Sequence, residues 1–201
     1  MQRRRFLQWL GLGTIAASLA VVMDKLGAIA APVNTVSLQS IYQASSSAHL
    51  RYLAFADQAA QEGYFTAASL FQAAAMAEQI HLDNLAKAMG RSGVTPAAQA
   101  AVPVVASTEE NLVAALQATQ QEIVACQQLA KSGGVVIQEV LESKRSLEQL
   151  YQEVKAELGQ EIDPRKSVFF VCSVCGYTTR SLPNYCPDCG VSSDQFRRVQ
   201  R

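Results

Sequence analysis

Four cysteines near the end of the chain are the residues whose type and spacing most clearly indicate chemistry. They form two C-x2-C pairs with ten residues between them: Cys172, Cys175, Cys186 and Cys189. Two such pairs on tight turns can bring four thiolates onto one tetrahedral ion, a donor set typical of iron or zinc. Gly176 and Gly190 follow the pairs and permit turns whose backbone N–H groups point at sulfur. The spacing therefore predicts one four-cysteine metal site.

Composition limits what kind of protein carries this site. The chain has 201 residues, of which 49% are hydrophobic and 17% charged, enough for one medium domain and one small module. Lys plus Arg and Asp plus Glu both number 17, so the net charge is zero and no broad basic surface for nucleic acid is expected. The basic residues at the very end are predicted to form a solvated tail: Arg197, Arg198 and Arg201.

The first thirty residues are typical of an export signal. Arg3-Arg4-Arg5-Phe6-Leu7-Gln8 matches the twin-arginine pattern, and residues 6–23 carry no charge. Ala28-Ile29-Ala30 supplies small residues for cleavage before Ala31, while a retained membrane anchor over residues 6–23 is the alternative. This route exports folded proteins, so we expect delivery to a periplasm or thylakoid lumen with the metal already bound. Bound metal would protect the thiolates there from oxidation.

Between the signal and the cysteines the hydrophobic period is helical. It predicts four helices: 36–62, 65–90, 108–131 and 135–159. Gly63 and the Gly133-Gly134 pair mark two tight hairpins, and a long connection over residues 91–106 joins them. Two hairpins with one long crossover indicate an all-α, ferritin-like four-helix bundle. The predicted organisation is a signal or anchor over 1–30, a bundle over 35–160 and a four-cysteine module over 167–201.

Several motifs resemble those of rubrerythrins. The segment LRYLAFADQAAQEGYFTAASLFQAAAMAEQIH is similar to their first helical hairpin, with Arg51-Tyr52, Gly63-Tyr64 and the E-x-x-H of Glu78 and His81. The tail FVCSVCGY…YCPDCG resembles their rubredoxin-like module, although its gap is shorter than in free-standing rubredoxins. The similarity spans residues 36–198. It implies non-haem iron, which favours iron over zinc at the cysteines, and it implies pairing of bundles into a homodimer.

The bundle departs from a di-iron centre at several positions. Such a centre needs a carboxylate from each of two helices and a Glu-x-x-His from each of the other two. Counting from the hairpin glycines, the expected ligand positions hold other residues: Ser45, Ala115, Ala118 and Tyr151. The resemblance to rubrerythrins implies an additional glutamate one turn before Glu78, and that position holds Ala73 or Ala74. The sequence therefore predicts a degenerate di-iron site.

Some polar residues still point into the predicted core. Glu78 lies on an apolar stripe with His81 one turn on, and Glu122 also faces inward. We expect a buried hydrogen-bond network of five residues: His49, Tyr52, Glu78, His81 and Glu122. A single ion held by Glu78, His81, Glu122 or His49, and an intact di-iron pair, are the alternatives.

The surroundings of two further residues of the predicted bundle indicate their environments. Glu148 lies beside Lys144, Gln152 and Lys155, which predicts a solvated helix face. Cys126 has no cysteine nearby in sequence and is predicted to be a small buried apolar residue.

These features favour an exported rubrerythrin-like protein that transfers single electrons to a redox protein partner through a four-cysteine iron centre. The bundle would then be a docking or dimerisation scaffold. One alternative is an active peroxide reductase, in which the tail supplies electrons to the bundle. The other is a non-redox scaffold or assembly factor with a structural zinc ribbon.

Overall fold

The structure is a computed structural model that describes residues 37–90, 103–158, 160 and 167–201. The predicted export signal, the cleavage position and the candidate anchor over residues 6–23 lie outside these ranges. Within them, no helix combines the length and the apolar character needed to cross a membrane.

The four predicted helices are confirmed, with ends that shift by at most two residues. They are α1 (Leu38–Gln61), α2 (Phe65–Ala88), α3 (Thr108–Leu129) and α4 (Gly134–Glu157). Helix α1 packs along α2, α3 packs along α4, and contacts of α2 with α4 and of α1 with α3 close the bundle. The predicted pair of helical hairpins is therefore present.

Local sequence explains where these helices begin and where the hairpins turn. Ser37 and Ser107 each accept a hydrogen bond from the backbone N–H three residues on, and a side chain returns the bond in both cases. Such capping boxes satisfy N–H groups that a helix start otherwise leaves unpaired, and a cap contributes about 1 kcal/mol. Gly63 and Gly134 take positive φ values of 82° and 71°, which glycine adopts without steric cost.

Aromatic rings fill one half of the bundle core. The rings of Tyr52, Phe55, Phe71 and Tyr151 are all buried, and their neighbouring centroids lie 5.3–6.4 Å apart. Buried alanines surround this group on α1 and α2, including Ala48. Small side chains allow the two helices to approach closely around the large rings. The position predicted for a histidine ligand on α4 is thus part of an aromatic core.

The end of the chain forms a small three-stranded antiparallel sheet. Its strands are β1 (Phe169–Cys172), β2 (Thr178–Thr179) and β3 (Phe196–Val199), in the order β2-β1-β3. The prediction of a solvated basic tail was therefore wrong for its backbone, because β3 pairs with the whole of β1. The Arg201 backbone N–H also donates to Ser69 Oγ at 2.8 Å. The Arg197 and Arg198 side chains are exposed as expected.

This sheet packs directly on the bundle of the same chain. Phe169, Val171 and Val199 are buried in one hydrophobic cluster with residues of α1, α2 and α4. The Arg180 guanidinium donates to Glu157 at 2.7 Å, and it lies over the Phe169 ring with 5.1 Å to the centroid. The module therefore shares a core with the bundle, and one of its two cysteine turns faces the helices.

Candidate metal centre

The structure brings the four predicted cysteines together. The sulfur atoms of Cys172 and Cys189 lie 3.7 Å apart, those of Cys175 and Cys186 lie 3.6 Å apart, and all four lie within 4.8 Å of one another. A tetrahedral ion with metal–sulfur bonds of about 2.3 Å would separate its ligand sulfurs by about 3.8 Å. The donor set and its spacing thus fit one four-thiolate metal ion.

Both cysteine turns are built in the same way. Gly176 and Gly190 have φ values of 85° and 76°. Their N–H groups donate to the carbonyl of the first cysteine in each pair, at 2.9 Å for Cys172 and 3.0 Å for Cys186. A residue with a Cβ would be strained at either glycine, so the turn chemistry predicted from the sequence is confirmed. Cys172 and Cys175 of the first turn are buried although Val174 between them is exposed, whereas Cys189 in the second turn is partly exposed.

Hydrogen bonding and burial act on the thiols in opposite directions. Bonds from the Cys175 thiol and from the N–H groups of Cys175 and Val174 lower the pKa of Cys172 to about 5, against the opposing effect of burial. Burial raises the pKa of Cys189 to about 12. A metal ion that binds all four sulfurs must therefore displace protons, and its affinity falls as the pH falls.

A second group of ionisable side chains lies inside the bundle. The Lys144 ammonium donates short hydrogen bonds to Glu78 Oε1 and to Glu122 Oε2, so it lies between the two carboxylates. The other Glu78 oxygen lies 3.3 Å from Nδ1 of His81. Lys144, Glu78 and His81 are all at most 1% exposed, and the Glu122 side chain is 13% exposed. We call these four residues the ion cluster.

The charges of the ion cluster stabilise one another against the cost of burial. Burial alone would raise the pKa of Glu78, but the Lys144 ammonium and the His81 hydrogen bond outweigh it and lower that pKa to about 2. Burial alone would lower the pKa of Lys144, but the Glu122 and Glu78 carboxylates raise it above its ordinary value. Lys144 is therefore a permanent cation at neutral pH. Removing one partner of such a buried pair costs about 3–5 kcal/mol.

Comparisons with known proteins place the chain in a family. A family model described as "Rubrerythrin" matches residues 38–161, and one described as "Rubrerythrin, rubredoxin-like domain" matches residues 170–197. The chain belongs to the rubrerythrin family. Rubrerythrin-2 of Clostridium acetobutylicum is 28% identical to it over 172 residues, which cover 80% of this chain and 93% of that protein.

Solved structures of nigerythrin have the same fold. The fully reduced, all-ferrous state matches with a TM-score of 0.69 and the partially reduced state with 0.66. Both are 24% identical in sequence, and each match covers 80% of this chain and 84% of the other. The predicted fold class, a four-helix bundle with a small rubredoxin-like module, is thus confirmed. As a rubrerythrin-family member the chain is a non-haem iron protein, and its four-cysteine site is typical of a rubredoxin-like iron centre.

Lys144 is the member of the ion cluster that sequence reasoning missed. The prediction that it lies on a solvated face of α4 beside Glu148 is wrong, because Lys144 is buried. A signal was present, because Lys144 continues an inward stripe with spacings of four and three residues: Val140, Lys144, Leu147, Tyr151 and Val154. Its residue type, rather than its position, suggested exposure. Glu148 itself is partly buried and accepts a hydrogen bond from Gln120 at 2.9 Å, apart from the ion cluster.

The other predicted polar residues of this rubrerythrin-family bundle lie in separate places. His49 Nδ1 lies 2.8 Å from the carbonyl oxygen of Ala75, and Tyr52 Oη lies 3.4 Å from Thr119 Oγ1. Neither bonds to the ion cluster. Cys126 is fully buried and free, as predicted, and burial raises the pKa of its thiol to about 11.

The positions expected to hold further di-iron ligands lie in the interior of the bundle. Ser45, Ala115 and Tyr151 are buried, and Ala118 is partly buried. Over the residues the structure describes, the four cysteines are the only group of three or more Cys, His, Asp or Glu side chains close enough for one ion. The tentative second metal site of Glu78, His81, Glu122 and His49 stays a prediction.

Proposed function

We propose that this protein carries single electrons through its four-cysteine iron site, and that Lys144 replaces the metal pair of a di-iron bundle. The observation that carries the proposal is the position of the Lys144 ammonium between Glu78 and Glu122. In a ferritin-like bundle, inward carboxylates of this kind hold metal. Here a cation of the chain itself neutralises them.

Electrostatics argue against a metal ion beside Lys144. An incoming dication would have to displace an ammonium that two buried carboxylates hold, or would have to lie within a few ångströms of it. Two like charges at that distance in a poorly solvated interior repel by several kcal/mol. The buried Ser45 and Tyr151 offer no carboxylate in compensation. The proposal of a degenerate di-iron site rests on this charge argument and on these absent ligands.

The residues around the cysteines suit one-electron transfer. An iron ion held by four thiolates supplies a one-electron couple whose potential depends on hydrogen bonds to sulfur and on solvent exposure. The two glycine turns hold the sulfurs in fixed positions, so little rearrangement accompanies a change of charge. The cysteines of the first turn are both buried, and Cys189 of the second turn is the most exposed of the four.

The second turn is therefore the proposed contact for a redox protein partner. Cys189 is the most exposed of the four cysteines, and Leu182 and Tyr185 in the segment leading to this turn are 51% and 68% exposed. A partner that covers these side chains would approach the metal more closely here than through the bundle.

A redox titration of the purified full chain tests the proposed function. We expect a red protein with one reversible one-electron step per chain and no measurable turnover of hydrogen peroxide. Turnover with added reductant, at rates well above those of the free ions, would instead favour the peroxide reductase. A colourless protein that contains zinc would favour the scaffold.

Export is the remaining part of the proposal, and it rests on residues 1–30. Changing Arg3→Lys together with Arg4→Lys should leave precursor in the cytoplasm, because the twin-arginine pair is the recognition element of this route. Fractionation of cells with an antibody against the chain would measure this. The matched control is Arg5→Lys, which changes a neighbouring arginine of the same run. Normal delivery of the double variant would contradict the twin-arginine assignment.

A further inference from the structure

One imidazole connects the ion cluster with the first cysteine turn. His81 contacts Glu78 through Nδ1, and its Nε2 faces the backbone of Gly176. A Cβ added to Gly176 would lie 2.6 Å from Nε2 and 3.0 Å from Cδ2 of this ring. His81 is 1% exposed, and its Nε2 has no hydrogen-bond partner among the described residues. The ring is therefore fixed on one side by a carboxylate and packs on the other against the turn.

Neighbours of the ion cluster hold the same turn at further points. Ser143 Oγ donates to the carbonyl oxygen of Gly176 at 2.8 Å, and Asn84 Nδ2 donates to that of Val174 at 2.7 Å. Ser143 directly precedes Lys144 on α4, while Asn84 lies one turn after His81 on α2. The helix segments that carry the ion cluster are thus also those that bind the turn.

We propose that Lys144, Glu78 and His81 act as positioning residues that hold the turn from Cys172 to Gly176 against the bundle and so set the potential of the iron centre. The inference rests on the proposed one-electron function. Lys144 fixes Glu78, Glu78 fixes the ring of His81, and the ring defines how closely Gly176 can approach α2. The position of the turn then decides how much water reaches the sulfur atoms of Cys172 and Cys175.

The direction of the effect follows from the charge of the site. A four-thiolate iron site gains one negative charge on reduction, and water stabilises the more highly charged state better than a buried environment does. The hydrogen bonds from Val174 and Cys175 to the Cys172 sulfur lie within the turn, so they persist if the turn moves as a unit. Release of the turn from the bundle should therefore raise the reduction potential.

A charge-neutral double variant isolates positioning from direct electrostatics. Glu78→Gln with Lys144→Met removes one negative and one positive charge, so the net charge near the iron is unchanged. The matched control is Tyr52→Phe, which removes a buried hydroxyl on α1 that contacts Thr119 and does not touch the turn. Both variants are studied as full-length iron protein, by redox titration and by hydrogen exchange of residues 172–178.

The expected result is retained red colour, a reduction potential above that of the wild type and of Tyr52→Phe, and faster exchange in residues 172–178. An unchanged or lower potential together with unchanged exchange would overturn the proposal while leaving the electron-carrier function intact. If the purified protein contains zinc, faster exchange in the double variant would support positioning although the carrier function has failed. If the double variant does not fold, His81→Gln replaces it. This variant lacks the ring that packs against Gly176, and it is measured by the same two methods with the same criteria.

Discussion

Both sites of this molecule bring several anionic side chains together, but different cations neutralise them. In the module, the four cysteine sulfur atoms converge within 4.8 Å of one another. In the bundle, two carboxylates converge on the ammonium of Lys144. Converging anions need a cation in a poorly solvated interior. The module must take that cation from solution, whereas the bundle carries its own.

The largest expected effect comes from removing one thiolate of the module. Cys186→Ser should abolish the sulfur-to-iron absorption and loosen residues 167–201, because metal binding is worth about 10–16 kcal/mol to comparable small sites. The four helices should remain, because most residues of their cores are supplied by the helices themselves. Visible absorption, metal analysis and circular dichroism measure these outcomes. Cys126→Ser is the matched control, because that cysteine is buried outside the metal site. Full metal content in Cys186→Ser would contradict the assignment of Cys186 as a ligand.

The next effect tests the cation inside the bundle. Lys144→Met removes the cation that Glu78 and Glu122 share and should lower the free energy of unfolding by about 3–5 kcal/mol. The variant should also become stabilised by added divalent cations, because Glu78, Glu122 and His81 then lack a competing ammonium. Urea unfolding with and without manganese measures both effects. Lys155→Met, on the exposed face of the same helix, is the control and should change neither quantity. If Lys144→Met leaves the free energy of unfolding unchanged, the ion cluster does not contribute to stability.

The pH dependence of the free energy of unfolding should show a smaller effect, which comes from Glu78 of the ion cluster. The pKa of Glu78 is about 2 in the folded chain and 4.5 when unperturbed, so the unfolded state binds more protons between these values. Stability from this group is therefore complete above pH 4.5 and is lost as the pH falls towards 2. Between pH 4.5 and 3 the loss should be about 2 kcal/mol. Glu78→Gln should lack this part of the slope, and an identical slope in both proteins would contradict the ion pairing.

The smallest expected effect concerns a glutamate of α4 that lies outside the ion cluster. Glu148 is partly buried and bonds to Gln120, so Glu148→Gln should change the free energy of unfolding by no more than about 0.5 kcal/mol. Urea unfolding checks this. A loss of 2 kcal/mol or more would mean that Glu148 contributes to a charged site in the bundle.

The parts of this structure that sequence reasoning predicted are those determined locally. The C-x2-C spacing and Gly176 and Gly190 define each turn within a few residues, and the helical period with Gly63 defines the hairpins. The ion cluster was only partly predicted. Glu78, His81 and Glu122 were assigned to the interior, but the partner that neutralises the carboxylates lies 66 residues from Glu78 on another helix.

The remaining features of the ion cluster depend on tertiary packing, which the hydrophobic pattern of the sequence does not contain. Lysine is rarely buried, so its residue type outweighed its place in the inward stripe of α4. Whether His49 joined the cluster depended on the rotation of α1, and the ring instead meets the carbonyl of Ala75. The contact of His81 with Gly176 requires the module to pack on the bundle, and the intervening linker sequence carries no information about that orientation.

Metal analysis of the purified full-length chain, combined with Mössbauer spectroscopy after loading with iron, tests the central claim most directly. The proposal predicts one tightly bound iron per chain with the signature of four sulfur ligands, in the wild type, and none in Cys186→Ser. Three irons per chain in the wild type, two of them in an oxygen- and nitrogen-ligated pair that survives in Cys186→Ser, would contradict the proposal that Lys144 replaces the metal.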